Sequence, residues 1–128
     1  MNARLKLVLA VMAGAASAAV ATEGLHAQAK LKAYAINELE IVDPNAWKDY
    51  LATARATIGA AQGHSLRTTA GRIVQIEGSA PPKRVAITEW DSLDDAVAFY
   101  KSKAWTDLAP QRDKAVKSLR RYVVEAER

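Results

Sequence analysis

The chain has 128 residues, 50% of them hydrophobic, no cysteine, and 18 Lys and Arg against 14 Asp and Glu for a net charge of +4. The lack of thiols excludes disulfides, thiolate metal sites, iron–sulfur clusters and cysteine nucleophiles. The charge is mild and basic residues alternate with acidic ones, so there is no basic stripe of the kind that binds nucleic acid.

Residues 1–27 read as a signal peptide. Arg4 and Lys6 form a short basic region, and the apolar run LVLAVMAGAASAAVA follows. That run is about 15 residues long, within the signal-peptide range and short of the ~20 that span a bilayer. Small-residue cleavage patterns end at Ala21, Ala27 and Ala29. Cleavage after Ala27, or as late as Ala29, fits best, because a strand pattern begins at Leu31. The expected product is a bacterial periplasmic or secreted protein with no membrane span after cleavage. One domain is expected over residues 31–128.

The first predicted strand is LKAYAINELEIV, residues 31–42. Tyr34, Ile36, Glu38 and Glu40 share one face, and Ala33, Ala35, Asn37, Leu39 and Ile41 share the other. Asp43-Pro44 then starts a helix, with Asp as N-cap and Pro where its missing N–H costs nothing. Trp47, Tyr50, Leu51, Ala54, Ile58 and Ala61 form its apolar stripe, and Gly63 is placed to close it. Residues 64–77 read as a strand interrupted at Ala70-Gly71, and RVAITEW, residues 84–90, reads as the next. Ser92 with Asp95 resembles a capping box for a second helix with its stripe on Leu93, Ala96, Val97 and Tyr100. A further helical piece begins near Ala104 and is divided at Pro110. The last strand is RRYVVEA, residues 120–126. The pairs Lys83-Arg84 and Arg120-Arg121 read as solvated strand ends.

The order is β-α-β-β-α-β. It predicts an α+β, ferredoxin-like fold with two helices on one face of a four-stranded antiparallel sheet. The other face would be bare, and a second copy packing sheet against sheet would cover it. A homodimer is therefore expected.

Several stretches together resemble a known group. They are Tyr34-x-Ile36, the Asp43-Pro44 helix start, Gly63, Val74 to Gly78, Pro82 to Val85 and Glu89 to Leu93, with the run Phe99, Tyr100, Ser102 and Trp105. In that order they resemble the bacterial domain-of-unknown-function family 1330 of the dimeric α/β-barrel superfamily, over roughly residues 33–126. The resemblance implies a ferredoxin-like protomer and a dimer whose two sheets form a barrel. It implies no reaction. Its wider relatives include cofactor-free monooxygenases, muconolactone-isomerase-like enzymes, haem-handling proteins and small-ligand binders. Many family members enter the second strand with Gly-Gly-Arg, where this chain has Gln62-Gly63-His64.

Glu38 and Glu89 sit among apolar residues on predicted central strands. If both project into a dimer cavity, burial would raise their pKa and suit them to proton transfer. The alternative is cross-strand pairing with Arg67, Arg72, Arg84 or Arg121. His64 is the third candidate ligand-binding residue, against the plainer reading of a surface histidine after a helix C-terminus. With cleavage after Ala27, His64 is the one histidine left, which offers a single axial haem ligand and no structural metal site, and no cofactor is expected. Trp90 is expected in the core, and Tyr100 and Trp105 either in packing or as a lid. There is no nucleophile elbow, P-loop or dinucleotide fingerprint. Two functions stay open: a small-molecule-binding or structural dimer, and a cofactor-independent oxygenase or isomerase acting on a small aromatic or carbonyl compound.

Overall fold

The computed structural model describes residues 31–127, so the predicted signal peptide lies outside the described residues. Strand β1 runs Lys32–Ile41, helix α1 Pro44–Ala60, β2 His64–Ser65 and β3 Arg84–Trp90. Helices α2 (Leu93–Lys101), α3 (Lys103–Thr106) and α4 (Ala109–Ala115) follow, and β4 closes the chain at Val116–Ala126. The sheet order is β2-β3-β1-β4, antiparallel throughout. This is the ferredoxin-like α+β arrangement. Among the described residues no helix is long and apolar enough to cross a membrane.

The two faces of β1 separate as their alternation dictates. Ala33, Ala35, Asn37 and Leu39 are buried, while Tyr34, Ile36 and Glu38 are only partly covered. Helix α1 begins where Asp43 Oδ1 accepts from the N–H groups of Asn45 (2.8 Å) and Ala46 (3.1 Å). Tyr50, Ala54 and Ile58 are its buried residues. Helix α2 is capped by Ser92, whose Oγ accepts from the Asp95 N–H at 3.1 Å. The Asp95 carboxylate accepts the Ser92 hydroxyl proton at 2.7 Å, so the serine side chain is held from both directions.

The end of α1 differs from expectation in a useful way. The N–H of Gly63 donates to the Ile58 carbonyl and that of Gln62 to Gly59, both at 3.0 Å. This is the Schellman pattern, and its left-handed residue is Gln62, at φ 69°, not Gly63. Gly63 is fixed by space instead. A Cβ there would lie 2.7 Å from Ile58 Cγ2 and 2.8 Å from Trp90 Cζ2 and Cη2. Gln62→Gly should therefore be neutral or raise stability by up to about 1 kcal/mol in thermal melts, since it relieves the left-handed penalty.

The predicted strand over residues 64–77 is present only as His64–Ser65. Beyond it, the chain follows β3 through isolated bonds: Leu66 N–H to the Ile87 carbonyl (2.9 Å), Thr68 Oγ1 to the Val85 carbonyl (2.7 Å) and Arg84 Nη1 to the Thr69 carbonyl (2.6 Å). Residues 72–77 pair with no strand among the described residues and expose Ile73, Val74 and Ile76. The break near Pro110 falls at residues 107–108, because proline occupies the first turn of α4 rather than its interior. Strand β4 starts four positions earlier than predicted, at Val116, opposite Ile41, with a bulge opposite Glu38/Leu39.

Candidate functional site

Small residues leave a gap between sheet and helices. Ala35 and Ala86 on the sheet face Ala54 on α1, and the space between them forms a cavity of about 60 Å³. It lies where two core clusters meet, one around Trp90, Phe99 and Trp105, the other around Leu39, Tyr50 and Val116. Asn37 and Thr88 line it from the sheet, Tyr50 from α1, Tyr100 and Trp105 from α2 and α3, and Arg121 from β4. Arg55 and Leu66, the exposed members of the lining, mark the side where it meets solvent.

Arg121 is the residue that sequence reasoning placed differently. Arg120 and Arg121 form no common solvated end, because strand alternation sends them to opposite faces. Arg120 forks onto Glu38 on the open face, Nε to Oε2 at 2.8 Å and Nη2 to Oε1 at 2.9 Å. Arg121 turns inward, and its guanidinium carbon lies 4.7 Å from the Trp105 ring centroid and 5.3 Å from that of Tyr100. The Asn37 amide, set with its oxygen toward Arg121, accepts from Nη2 at 2.9 Å. Its nitrogen then donates to Ser118 Oγ at 2.6 Å and the Arg120 carbonyl at 3.2 Å. Arg112 also lies over Trp105, at 4.7 Å. The signal for Arg121 was available in the sequence. Its parity in β4 matches Val123, and Asn37 shares the buried parity of Ala33, Ala35 and Leu39.

Burial pushes the Tyr50 phenol above its ordinary value, with Arg112 and Arg121 opposing, and it pushes Tyr100 up likewise, with Arg121 opposing. Burial also pulls Arg121 below its ordinary value, while the Tyr100 and Tyr50 phenols pull it up. Both phenols are raised from an ordinary 10.0, so the stability they contribute is whole below that pH. It is lost as pH climbs through the folded-state values. Phenolate absorbance at these two residues should therefore rise with the loss of near-ultraviolet dichroism. Ionisation at unchanged dichroism would show that they are not buried.

The three predicted site residues lie on the other side of the sheet or at its edge. Glu38 is paired with Arg120. Glu89 accepts from the Tyr34 hydroxyl at 3.1 Å and lies 3.6 Å from Lys32 Nζ, which also meets Asp91 at 2.5 Å. The partners are thus Arg120 and Lys32 rather than the four arginines expected. His64 is exposed and stands opposite Glu89 in the β2–β3 register. Glu89 is flanked in register by Tyr34 and His64, while Glu38 lies further along β1, opposite Val85. None of the three lines the cavity. Among the described residues no group of three or more His, Asp or Glu is placed to hold a metal.

A four-stranded antiparallel sheet in the order β2-β3-β1-β4, with helices on one face, defines a ferredoxin-like α+β protein. The chain belongs to the family described as domain of unknown function DUF1330, whose model matches residues 32–126. No functionally curated protein matches it. Among solved structures it is similar to SnoaB, a cofactor-independent oxygenase from Streptomyces nogalater, at 14% identity and TM-score 0.55, over 77% of this chain and 95% of that one. It is also similar to RPA0582, a protein of unknown function from Rhodopseudomonas palustris, at 14% identity and TM-score 0.57, over 77% of this chain and 85% of that one. The methylated form of RPA0582 gives TM-score 0.53 at 14% identity, over 77% and 83%.

Proposed function

We propose that the protein is an exported homodimer that binds a small molecule in the cavity between its sheet and its helices. The observation that carries the binding reading is the inward guanidinium of Arg121, set among Tyr50, Tyr100, Trp105 and Asn37 at the edge of an interior space. Interior space with a few convergent polar groups is the general form of a ligand site. Export rests on the basic and apolar pattern of residues 1–27. The dimer rests on Tyr122 and Val124, exposed on the open face, and on the exposed Ile73, Val74 and Ile76 of the segment between β2 and β3. In the dimer, Glu38, Glu89 and His64 belong to the space between the two sheets, where Glu89 with Tyr34 and His64 would form a second polar contact for a ligand. Native mass spectrometry of the protein purified from its host tests all three parts. A dimer mass, an N-terminus at Gln28 or Lys30 and a retained small molecule support the reading, whereas an empty monomer with residues 1–27 intact overturns it.

The second reading is a cofactor-independent oxygenase or isomerase. The structural likeness to SnoaB favours it, and the cavity volume favours a small carbonyl compound over an aromatic one. Oxygen uptake or isomer formation with purified protein and such a compound supports it. A ligand bound and released unchanged removes it.

A further inference from the structure

We propose that the cavity is an anion site that takes a small monocarboxylate, with Arg121 as its cationic ligand. The inference rests on the binding reading above and adds the charge and size of what is bound.

The charge follows from what surrounds Arg121. The cavity lining contains Arg55 and Arg121 and no carboxylate. The ion pairs among the described residues join Lys32, Lys103 and Arg120 to acids, and none reaches Arg121. A guanidinium has five N–H donors, and a largely desolvated one is costly without a counter-charge. Asn37 takes one donor at 2.9 Å, and the rings of Trp105 and Tyr100 supply only their π faces. Neither neutralises the charge. The neighbouring Arg120 shows the contrast, with its fork filled by Glu38. Tyr50 and Tyr100 belong to the same lining, and both phenols, raised by burial from an ordinary 10.0, are protonated at neutral pH. A carboxylate accepts from a guanidinium fork and from such hydroxyls, and it brings the missing negative charge.

The size follows from the volume. An apolar cavity that holds benzene measures about 150 Å³, against about 60 Å³ here. On that scale an aromatic acid does not fit this space, and formate and acetate, with three and four heavy atoms against the six of benzene, are the acids nearest to it in size.

The test is a titration of the protein with sodium formate and sodium acetate, set against formamide, acetamide and sodium chloride at constant ionic strength. Tryptophan fluorescence and thermal shift are the readouts, because Trp105 lies against Arg121. The acids are expected to give a saturable response and the amides and chloride none. Arg121→Met should weaken acid binding by about tenfold to a hundredfold, the usual effect of removing a charged hydrogen-bond partner. Arg121→Lys should recover part of it, and Arg55→Gln at the mouth should change it by less than about threefold. If Arg121→Met does not fold by circular dichroism, Arg121→Lys and the acid–amide comparison on the wild type decide. Equal response to acids and amides, or unchanged acid affinity in Arg121→Met, overturns the anion assignment. Saturable binding of neutral molecules alone does the same and leaves the binding reading standing. No saturable response to any small molecule, together with an empty native mass spectrum, overturns both.

Discussion

Trp90→Ala is expected to lower the stability of the fold by about 3–5 kcal/mol, a large share of what a single domain of this size possesses. Trp90 is 1% exposed and is the largest fully buried side chain among the described residues. Its ring packs 4.8 Å from Phe99 and 6.1 Å, edge-on, from Tyr100, and it closes over the backbone of Gly63. Alanine leaves a void that Ala33, Ala35 and Ala96 around it cannot fill, because they have no side chain long enough to move in. Trp90→Phe should cost much less. It keeps most of the contact, and it removes Nε1, which has no hydrogen-bond partner although it is buried. The same contact makes Gly63→Ala destabilising by about 1–3 kcal/mol. The added methyl meets a ring and a branched side chain that are both enclosed. The two effects should be coupled. In a Trp90→Phe background the cost of Gly63→Ala should fall by more than about 0.5 kcal/mol, the level at which neighbours depart from additivity. Urea unfolding of the four proteins measures the cycle, and additive costs would show that Gly63 is not held by the tryptophan.

The sequence made the regular parts of this fold legible where local chemistry acts alone. Asp43-Pro44 stops β1 and starts α1 without help from the rest of the chain, and β3 runs from Arg84 to Trp90 as predicted. The segment after Ser65 could not be read the same way. Ile73, Val74 and Ile76 have strand-forming side chains, but a strand exists only against a partner, and no strand of the described residues pairs with them. Gly63 was assigned a backbone role because glycine commonly ends helices, whereas its need is a tertiary contact with Trp90, which lies 27 positions away. The candidate site failed to show for a different reason. Carboxylates on central strands attracted the functional reading, yet their charges are met within the sheet by Arg120, Lys32 and the Tyr34 hydroxyl. Arg121 lies inward without an acidic partner among the described residues, one residue along from an arginine paired with Glu38. Nothing in its type separates it from Arg120, and only the two-residue alternation of β4 does.

Ile36→Glu is expected to convert the proposed dimer to a monomer without unfolding it. Ile36 lies at the centre of the open face, opposite Ile87 on β3 and Tyr122 on β4. It is half-buried in the protomer, so the side chain tolerates a polar replacement there at modest cost to folding. Packing a second sheet over it would desolvate it fully. Two such carboxylates, one from each copy, would face each other across the symmetry axis without counter-charges, because the nearest arginine on that face, Arg120, is occupied by Glu38. An unpaired charge at the centre of an interface costs about 2–5 kcal/mol, or from roughly thirtyfold to several thousandfold in the dissociation constant. Sedimentation velocity at micromolar protein should show the wild type as a dimer and Ile36→Glu as a monomer with a near-native far-ultraviolet spectrum. Ala56→Glu is the control, since Ala56 is exposed on α1, which covers the other face of the sheet. That variant should remain a dimer. If both substitutions leave sedimentation unchanged, or the wild type is already monomeric, the open face is not the surface on which two copies meet.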